Sequence, residues 1–526
     1  MGDGLWVSVS EPSGTVGRYL RDCVRLDTRT LAVFRVALAL LILADLLLRS
    51  RNFSTFYTDG GLVPHDLARE TAPLEAPSIY LLSTEPAVTA ALFVVHGLIA
   101  LALLVGYRTR TATVLSFVFV VSLDLANPLV LSYADVLFAW LLLWATLLPL
   151  GERWSIDAVH ADGPSRRSVA SLGSALVLLQ MITMYTVNGY HKTASDLWLT
   201  GEAAVLVLGL DDMTFLLGDL VRSAPTALQI GGLIWVLMLS FSSVLLLARG
   251  RLRTTLVAAF VTAHLSFALT VRIGAFAYVA IAGVVLFLQS SFWADCSRVA
   301  RRFPVPTEPL ETTRVRLESI ARAVPRPGLG FDPNALIPWS PGDATRSLLV
   351  AVFVTVLLVS MLSAGGVVDG DASPAAEIDA ATAAVVDHQT DWYVFAPEPR
   401  TTDRYYVFPA KTADGDVVDV YNDRDLSYER PADDLQRQYG TYRERFYMNS
   451  VAAPDHPDAP VRLAESICSD QSEGKNAITH LEMYLIEEEV TLETIDEPAE
   501  RTREATLLSR HSCGDDEPEE IAPPPS

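Results

Sequence analysis

The sequence predicts an all-α polytopic membrane bundle of about nine transmembrane helices, followed by a C-terminal extracytoplasmic β-rich domain. Three observations support this fold class. Hydrophobic residues make up 50% of the 526 residues, and the mean hydropathy is positive, which is too apolar for an ordinary soluble protein of this length. Apolar segments long enough to cross a hydrocarbon core of ~30 Å recur along the chain. The C-terminal part instead shows the short alternating patterns of β-strands.

Nine segments have the length and apolarity of a membrane-spanning helix. They are residues 31–49, 86–107, 111–131, 134–150, 169–190, 227–248, 254–271, 275–293 and 347–365. The third is interrupted by Asp124, Asn127 and Pro128, and the fourth is barely long enough. The sequence therefore defines the ends of these two segments poorly.

The segment between the fifth and sixth spans has a different character. Residues 203–221 begin with an apolar run but then contain Asp211, Asp212 and Asp219. A helix with several carboxylates is better placed along the outer interface or in a re-entrant segment than across the membrane. We expect residues 203–221 to form a lid-like element that limits water access to the end of the fifth span.

The distribution of arginine predicts which side of the membrane each loop faces, because Arg and Lys accumulate in cytoplasmic loops. Placing the N-terminal segment 1–30 inside puts most arginine clusters in inner loops. These clusters are Arg18, Arg21, Arg25 and Arg29; Arg108 and Arg110; Arg153, Arg166 and Arg167; Arg249, Arg251 and Arg253; and the linker 294–346. An odd number of spans then places residues 366–526 outside. We expect a multi-pass cell-membrane protein without a cleaved signal peptide, its first span serving as the insertion signal.

The segment predicted to face outside carries all of the net negative charge. Residues 366–526 hold 36 of the 62 acidic residues but only 13 of the 40 basic residues. Such a composition is typical of proteins that stay soluble at very high salt, as in halophilic archaea. The alternative is that residues 366–390 and 500–526 are disordered acidic linkers, which we favour for the tail 515–526.

Alternating residues at 392–395, 404–408 and 481–486 predict strands in a β-rich domain over residues 391–514. The four cysteines fall on both predicted sides of the membrane. Cys23 and Cys296 lie inside and should stay reduced, whereas Cys468 and Cys513 lie outside and could form a disulfide. The alternative for the outer pair is two free buried thiols.

Only three of the basic residues are lysines, namely Lys192, Lys411 and Lys475. Lys192 ends the fifth span, in the run from Asn188 to Trp198. Arginine stays protonated in any protein environment, whereas a lysine at an apolar boundary can lose its proton and act as a base. The alternative is a structural lysine whose charged head reaches the interface from a helix end. The spacing alone favours neither interpretation.

Other ionisable residues inside the spans are functional candidates, because burying them in a membrane is costly. They are Arg35, Asp45, His96, Asp124, His191 and His264. Arg35 and Asp45 are ten residues apart and cannot pair with each other directly, so we expect each to pair with a group on another helix. We expect His96 to form a buried hydrogen bond. For His264 the structural and functional interpretations carry equal weight.

Several groups of residues occur in a characteristic order. They are Phe34-Arg35 with Asp45; Phe56 to Gly61; Leu148 to Asp157; His191-Lys192 with Asp196, Trp198, Gly201 and Glu202; and His264 to Tyr278 with Gly274 and Phe276. These motifs resemble the horizontally transferred transmembrane (HTTM) domain family, which includes the vitamin K-dependent γ-carboxylases. The segment Trp392 to Pro399 is similar to the Trp…Phe-Ala-Pro…Pro motif of bacterial and archaeal relatives. The resemblance covers roughly residues 30–300 and 385–515.

The resemblance implies a chemistry. In γ-carboxylases a lysine at the place of Lys192 deprotonates a vitamin K hydroquinone. Oxygen then converts the quinol into a strong base, which removes a γ-proton from a peptide glutamate before carbon dioxide adds. A reduced quinone (menaquinone or vitamin K-like) would be the cofactor, with no metal and no nucleic acid, and a secreted peptide or protein would be the substrate. The carboxylase motif has a lysine where this chain has His191.

The site residues implied by this resemblance fall into two groups. Lys192 would be the base, His191 would tune it, and His264 would be a nearby polar partner. Contacts to the substrate would come from Arg35, Asp45, Tyr190, Asp196 and Trp198.

Two functions follow as hypotheses. The first is a membrane enzyme of the γ-carboxylase-like type that modifies an extracytoplasmic peptide with a membrane-borne quinol. The second is a non-catalytic membrane factor for export, maturation or scaffolding, in which the outer domain binds a secreted partner. Oxygen consumption with a reduced quinone would discriminate between them.

Overall fold

The computed structural model describes residues 14–302, 307–325, 392–472 and 477–524, together with the single positions Glu377 and Ala381. The predicted last span 347–365 lies outside the described residues. The same holds for the end of the linker 294–346 and for nearly all of the acidic linker 366–390. The described part is mostly helical, with a β-sheet near the C-terminus.

The helices before the sheet follow one another closely along the chain. They are α1 Thr15–Cys23, α2 Thr28–Arg49, α3 Phe53–Phe56, α4 His65–Thr71, α5 Pro86–Val105, α6 Thr109–Leu125, α7 Tyr133–Ala145, α8 Ile156–Val159, α9 Leu172–Lys192, α10 Asp196–Thr200, α11 Glu202–Gly209, α12 Gly218–Arg222, α13 Pro225–Ser240, α14 Ser243–Leu247, α15 Gly250–Thr270, α16 Phe276–Val285, α17 Ser290–Arg302 and α18 Thr307–Ala323. A short antiparallel pair, β1 Leu26–Asp27 and β2 Ser168–Val169, joins two loops at one end of the bundle.

Four helical segments in the described part are long and apolar enough to cross a membrane, namely Thr28–Phe56, Pro86–Val105, Leu172–Lys192 and Gly250–Thr270. The pair α16 and α17, bent by 94°, would add a fifth if it is one broken span. Helices α7 and α13 are apolar but shorter. Each of the first eight predicted spans therefore contains a helix, but the number nine stays a prediction.

Local chemistry explains why some predicted spans are short. Helix α6 ends at Leu125 because Pro128 follows shortly after, and the residue before a proline is disfavoured in helical conformation. Helix α7 then begins with a capping box, in which Ser132 accepts from the helix backbone and the Asp135 carboxylate accepts from the backbone N–H of Ser132. The helix in the predicted span 111–131 is thus about one turn shorter than expected.

Helices α9 and α13 approach each other closely at Gly189. A Cβ atom at this position would lie 2.8 Å from the backbone nitrogen of Ser240. Only glycine therefore permits this contact without a shift of one backbone. The close packing places the C-terminal end of α9 directly beside α13.

Six strands form one antiparallel sheet in the C-terminal domain. They are β3 Thr402–Val407, β4 Pro409–Thr412, β5 Val417–Asp419, β6 Arg424–Asp425, β7 Ile478–Glu489 and β8 Arg503–Ser512. The long strand β7 pairs with β4 and then β3 along one edge and with β8 along the other. Two helices, α19 Tyr442–Val451 and α20 Asp458–Asp470, complete the domain. A disulfide joins Cys468 of α20 to Cys513, the pair named from the sequence.

Two expectations about this domain are wrong. Residues 392–395 form a turn rather than a strand, with positive φ at Trp392 and Phe395. The reason is that their carbonyl groups bind side chains of the membrane domain instead of a neighbouring strand. The alternative of a disordered segment over 500–526 fails for β8, which pairs with β7 over nine residue positions.

Candidate functional site

An apolar cavity of about 560 Å³ lies among α9, α11, α13 and α15 and is closed at one end by the turn that starts at Trp392. Several of its lining residues, including Gly231 and Ile234 of α13 and Thr262 and Ser266 of α15, are exposed. The mouth of the cavity therefore lies on the side of the bundle, between these two helices. Cavities of ~300–1,000 Å³ with mostly apolar walls and few polar groups are typical of small-molecule sites.

Lys192 lies in the wall of this cavity and is only 2% exposed. Its Nζ donates hydrogen bonds to the carbonyl oxygens of Val394 and Phe395, at 2.9 and 2.7 Å. The same nitrogen lies 3.5 Å from the ring centroid of Trp198. A neutral amine could donate both of its hydrogens to the two carbonyls, and an ammonium could place its third hydrogen over the indole ring. The geometry is therefore compatible with a base and with a structural cation.

The turn 392–395 is held by other side chains of the membrane domain as well. Asn188 Nδ2 donates to the carbonyl oxygens of Trp392 and Val394, at 2.6 and 3.2 Å. Trp198 Nε1 donates to the Phe395 carbonyl at 2.8 Å. These contacts come from Asn188 of α9, four residues before Lys192, and from Trp198 of α10, six residues after it. The C-terminal domain thus supplies part of the cavity wall through its backbone.

A second polar pair lies farther along the cavity wall. The Tyr185 hydroxyl is 2.7 Å from His264 Nε2, which links α9 to α15. His264 is fully buried, and its Nδ1 has no hydrogen-bond partner among the described residues. Trp235, Phe267 and Phe276 surround the imidazole, at 5.5, 6.0 and 6.2 Å between ring centroids. The pair therefore offers one unused ring nitrogen in an aromatic setting.

The other residues expected near Lys192 do not line its cavity. The His191 ring packs against Tyr393 at 4.3 Å between centroids, and its Nε2 is buried without a partner in the described part of the chain. Tyr190 is 59% exposed, and Asp196 is also exposed. Of the residues expected around the base, the structure brings only Trp198 and His264 to the same cavity as Lys192.

Arg35 and Asp45 lie away from this cavity, in separate polar groups. Arg35 donates to the carbonyl oxygens of Leu150, Arg153 and Trp154, and so holds the loop before α8. Asp45 accepts from Arg49 on its own helix at 2.7 Å and from Arg443 of α19 at 2.8 Å. Asp45 thus takes part in pairing between elements, whereas Arg35 holds backbone carbonyls.

A buried ion-pair cluster joins the membrane helices to the C-terminal domain. Arg443 binds Asp135 through both terminal nitrogens, at 2.9 and 2.7 Å. Arg49 contacts Asp124 and Asp135 from the opposite side. Asp124, read from the sequence as an interruption of a span, is therefore an ion-pair partner. The cluster fixes α19 against the ends of α2, α6 and α7.

A second cluster fixes the segment between α11 and α12. The Asp403 carboxylate accepts from the backbone N–H groups of Asp211 and Asp212, at 3.0 and 2.9 Å. Arg430 and Arg501 pair with both Asp211 and Asp403. Two of the three carboxylates that excluded residues 203–221 from a span, Asp211 and Asp212, thus bind arginines of the C-terminal domain directly.

Comparison with known proteins gives one family match. The sequence model described as HTTM domain matches residues 24–293. The chain belongs to the HTTM domain family. No curated protein and no solved structure gives a significant match.

The HTTM domain thus contains Lys192, Trp198 and His264, while the carbonyls that bind Lys192 come from beyond the matched residues. Sequence reasoning missed Asn188 and Tyr185, which are unremarkable polar residues on an apolar helix. Their spacing from Lys192, four and seven positions, places all three on one helix face and could have identified them. Among the described residues, no group of three His, Cys, Asp or Glu side chains is arranged to hold a metal ion.

Proposed function

We propose that this HTTM protein binds a quinol-type lipid in the cavity beside Lys192 and uses it to modify an extracytoplasmic peptide, as the resemblance to γ-carboxylases implies. One observation carries the proposal: the buried amine of Lys192 lies in the wall of an apolar cavity that opens on the side of a membrane bundle. A ligand that partitions into the bilayer could enter there without crossing water.

The cavity chemistry fits a ring-bearing ligand with hydroxyl groups. Trp198, Trp235 and Phe267 offer aromatic faces, and most of the remaining lining is aliphatic. The unpartnered Nδ1 of His264 could bind one ligand oxygen. Lys192, which also lines the wall, could bind a second ligand oxygen. Two such contacts suit a quinol, which carries oxygens on opposite sides of its ring.

In this proposal a bound quinol supplies the reducing equivalents for reaction with oxygen. Lys192 would accept a phenolic proton at Nζ, while the Val394 and Phe395 carbonyls hold the amine in place. Tyr185 orients His264 through the short hydrogen bond to Nε2, which leaves Nδ1 free for the ligand. The turn 392–395 and the segment after α11 would keep water from the amine.

The experiment compares matched Lys→Arg variants of the purified protein. Oxygen uptake with reduced menaquinone should be lost in Lys192→Arg, because a guanidinium cannot give up its proton at physiological pH. Lys411→Arg, the same change in the β-sheet, should retain the activity. Retained activity in Lys192→Arg at normal membrane yield would remove the catalytic role.

One observation favours the second candidate function, a non-catalytic membrane factor. Both carbonyl contacts and the Trp198 ring can satisfy all three hydrogens of a protonated Lys192, so the lysine could serve only to hold the C-terminal domain. In that case wild-type protein should show no quinol-dependent oxygen uptake, while Lys192→Met should increase protease cleavage within residues 392–400.

A further inference from the structure

A second cavity, of about 700 Å³, lies at the end of the bundle opposite the C-terminal domain. Helix α2 begins beside this cavity at Thr28 and ends at Arg49, next to the ion-pair cluster that binds the C-terminal domain. Five arginines line the cavity: Arg25, Arg29, Arg153, Arg167 and Arg249. By the arginine distribution, this end of the bundle is the one expected to face the cytoplasm.

The arrangement of these arginines goes beyond a general excess of positive charge in inner loops. They come from four separate parts of the chain: the segment from Arg25 into the first turn of α2, the loop before α8, the segment entering β2, and the residue that precedes α15. The tertiary fold brings their side chains to one cavity. A bias of loop composition explains the number of arginines but does not explain their convergence.

The charges of the cavity wall are only partly balanced. Asp27 binds Arg29 through both carboxylate oxygens, at 2.9 and 2.8 Å. Asp22 lies 3.0 Å from Arg25 and 3.6 Å from Arg249. With five arginines and two aspartates, the wall has an excess of three positive charges.

The two remaining arginines account for most of the unbalanced charge. Arg153 donates through Nε to the Thr28 hydroxyl at 2.7 Å. Among the described residues, neither Arg153 nor Arg167 has a carboxylate partner. The hydroxyl oxygen of Ser291, also in the cavity wall, is buried without a hydrogen-bond partner in the described part of the chain. The cavity thus offers both charge and donors to an anion.

We propose that this cavity binds a phosphate group, held by Arg153 and Arg167 with Arg25 and Arg249 at the rim. Guanidinium groups bind phosphate through paired N–H donors, which gives both strength and orientation. Two sources of the same chemistry exist at this position. One is the headgroup of an anionic phospholipid, which the exposed apolar residues Val16 and Leu20 of the nearby helix α1 favour. The other is a soluble phosphate from the cytoplasm.

The test uses the purified full-length protein and two charge-matched double variants. Arg25→Gln with Arg167→Gln removes two exposed arginines from the cavity. Arg301→Gln with Arg302→Gln removes two exposed arginines from the end of α17, outside the cavity wall. Native mass spectrometry measures retention of phosphatidylglycerol and of a phosphate-free glycolipid. Thermal unfolding with inorganic phosphate alone measures the soluble source.

Phosphatidylglycerol retention should fall about tenfold or more in the cavity variant and stay unchanged in the α17 variant, as expected from losing charge-assisted hydrogen bonds. If soluble phosphate is the source, it should raise the unfolding temperature of the wild type and of the α17 variant only. Three results would overturn the proposal. The two variants could lose phosphatidylglycerol retention equally, the wild type could retain the glycolipid as well as phosphatidylglycerol, or it could bind neither phosphatidylglycerol nor inorganic phosphate. If the double variant fails to fold, Arg167→Gln alone provides the same comparison.

Discussion

Replacing Arg443 with glutamine should weaken the attachment of the C-terminal domain to the membrane helices. The Arg443 side chain is 8% exposed. Its Nη1 donates to the Val130 carbonyl at 3.0 Å and to Asp135 at 2.9 Å, and its Nη2 donates to Asp135 and Asp45. Glutamine would leave the buried Asp135 with a single arginine partner, Arg49.

Removing one partner of a buried ion pair costs about 3–5 kcal/mol, since the remaining charge stays buried and less compensated. Arg49 continues to contact Asp135, so we expect the lower end of this range, about 3 kcal/mol. A change of this size shifts the equilibrium between attached and detached domain by a factor on the order of 100. Because the pair is buried, added salt should change the effect little.

The assay combines thermal unfolding, followed by tryptophan fluorescence, with limited proteolysis of the detergent-solubilised protein. Arg443→Gln should speed cleavage between the last membrane helix and the sheet. Arg437→Gln is the matched control, because this arginine is exposed and has no carboxylate partner among the described residues. Adding Asp135→Asn to Arg443→Gln should cost less than the sum of the single changes. Equal stability of Arg443→Gln and Arg437→Gln would refute the argument.

Two further predictions test orientation and helix packing. In a protein whose two free cysteines are replaced by serine, the added cysteine of Asp414→Cys should react with a membrane-impermeant thiol reagent on intact cells. The added cysteine of Gly163→Cys should not react. The reverse labelling pattern would contradict the predicted orientation of the chain in the membrane. Gly189→Ala should destabilise the bundle by about 1–3 kcal/mol, because its Cβ would meet the backbone of α13. Gly231→Ala, where a Cβ meets nothing within 4 Å, should be neutral or slightly stabilising, and equal effects at both glycines would contradict the proposed close contact.

The sequence predicts much of the helical part because two signals can be read from neighbouring residues alone. They are the length of each apolar segment and the free-energy cost of placing a charged side chain inside it. Long apolar segments gave helices at nearly the expected positions, and Lys192 was recognisable as a rare lysine at a helix end. The sequence predicts a strand at Trp392, because Trp-Tyr-Val-Phe has the residue types of a strand, but the segment forms a turn. Its conformation depends on partners about 200 positions earlier, such as Asn188, which no local pattern contains.

Long-range pairing also limits how far the site could be predicted. Asp124 disrupts an apolar run, and only the fold shows that Arg49 compensates its charge. Lys192 is bound by backbone carbonyls, which every residue has, so their positions cannot be read from side-chain types. Four of the five expected contact residues lie outside the cavity, namely Arg35, Asp45, Tyr190 and Asp196. A shared motif does not fix which side chains face one cavity.

The contacts of Lys192 also connect the site to domain attachment. Both of its carbonyl partners belong to the segment that enters the C-terminal domain, so detachment of that domain removes them and opens the cavity wall to water. Arg443→Gln should therefore impair any quinol-dependent reaction even though Arg443 lies outside the cavity lining. Lys192→Arg should impair the same reaction without increasing cleavage at the domain boundary. Measuring activity and cleavage in both variants thus distinguishes a catalytic role of Lys192 from a loss of site structure. Activity measured in one variant alone could not distinguish these two causes.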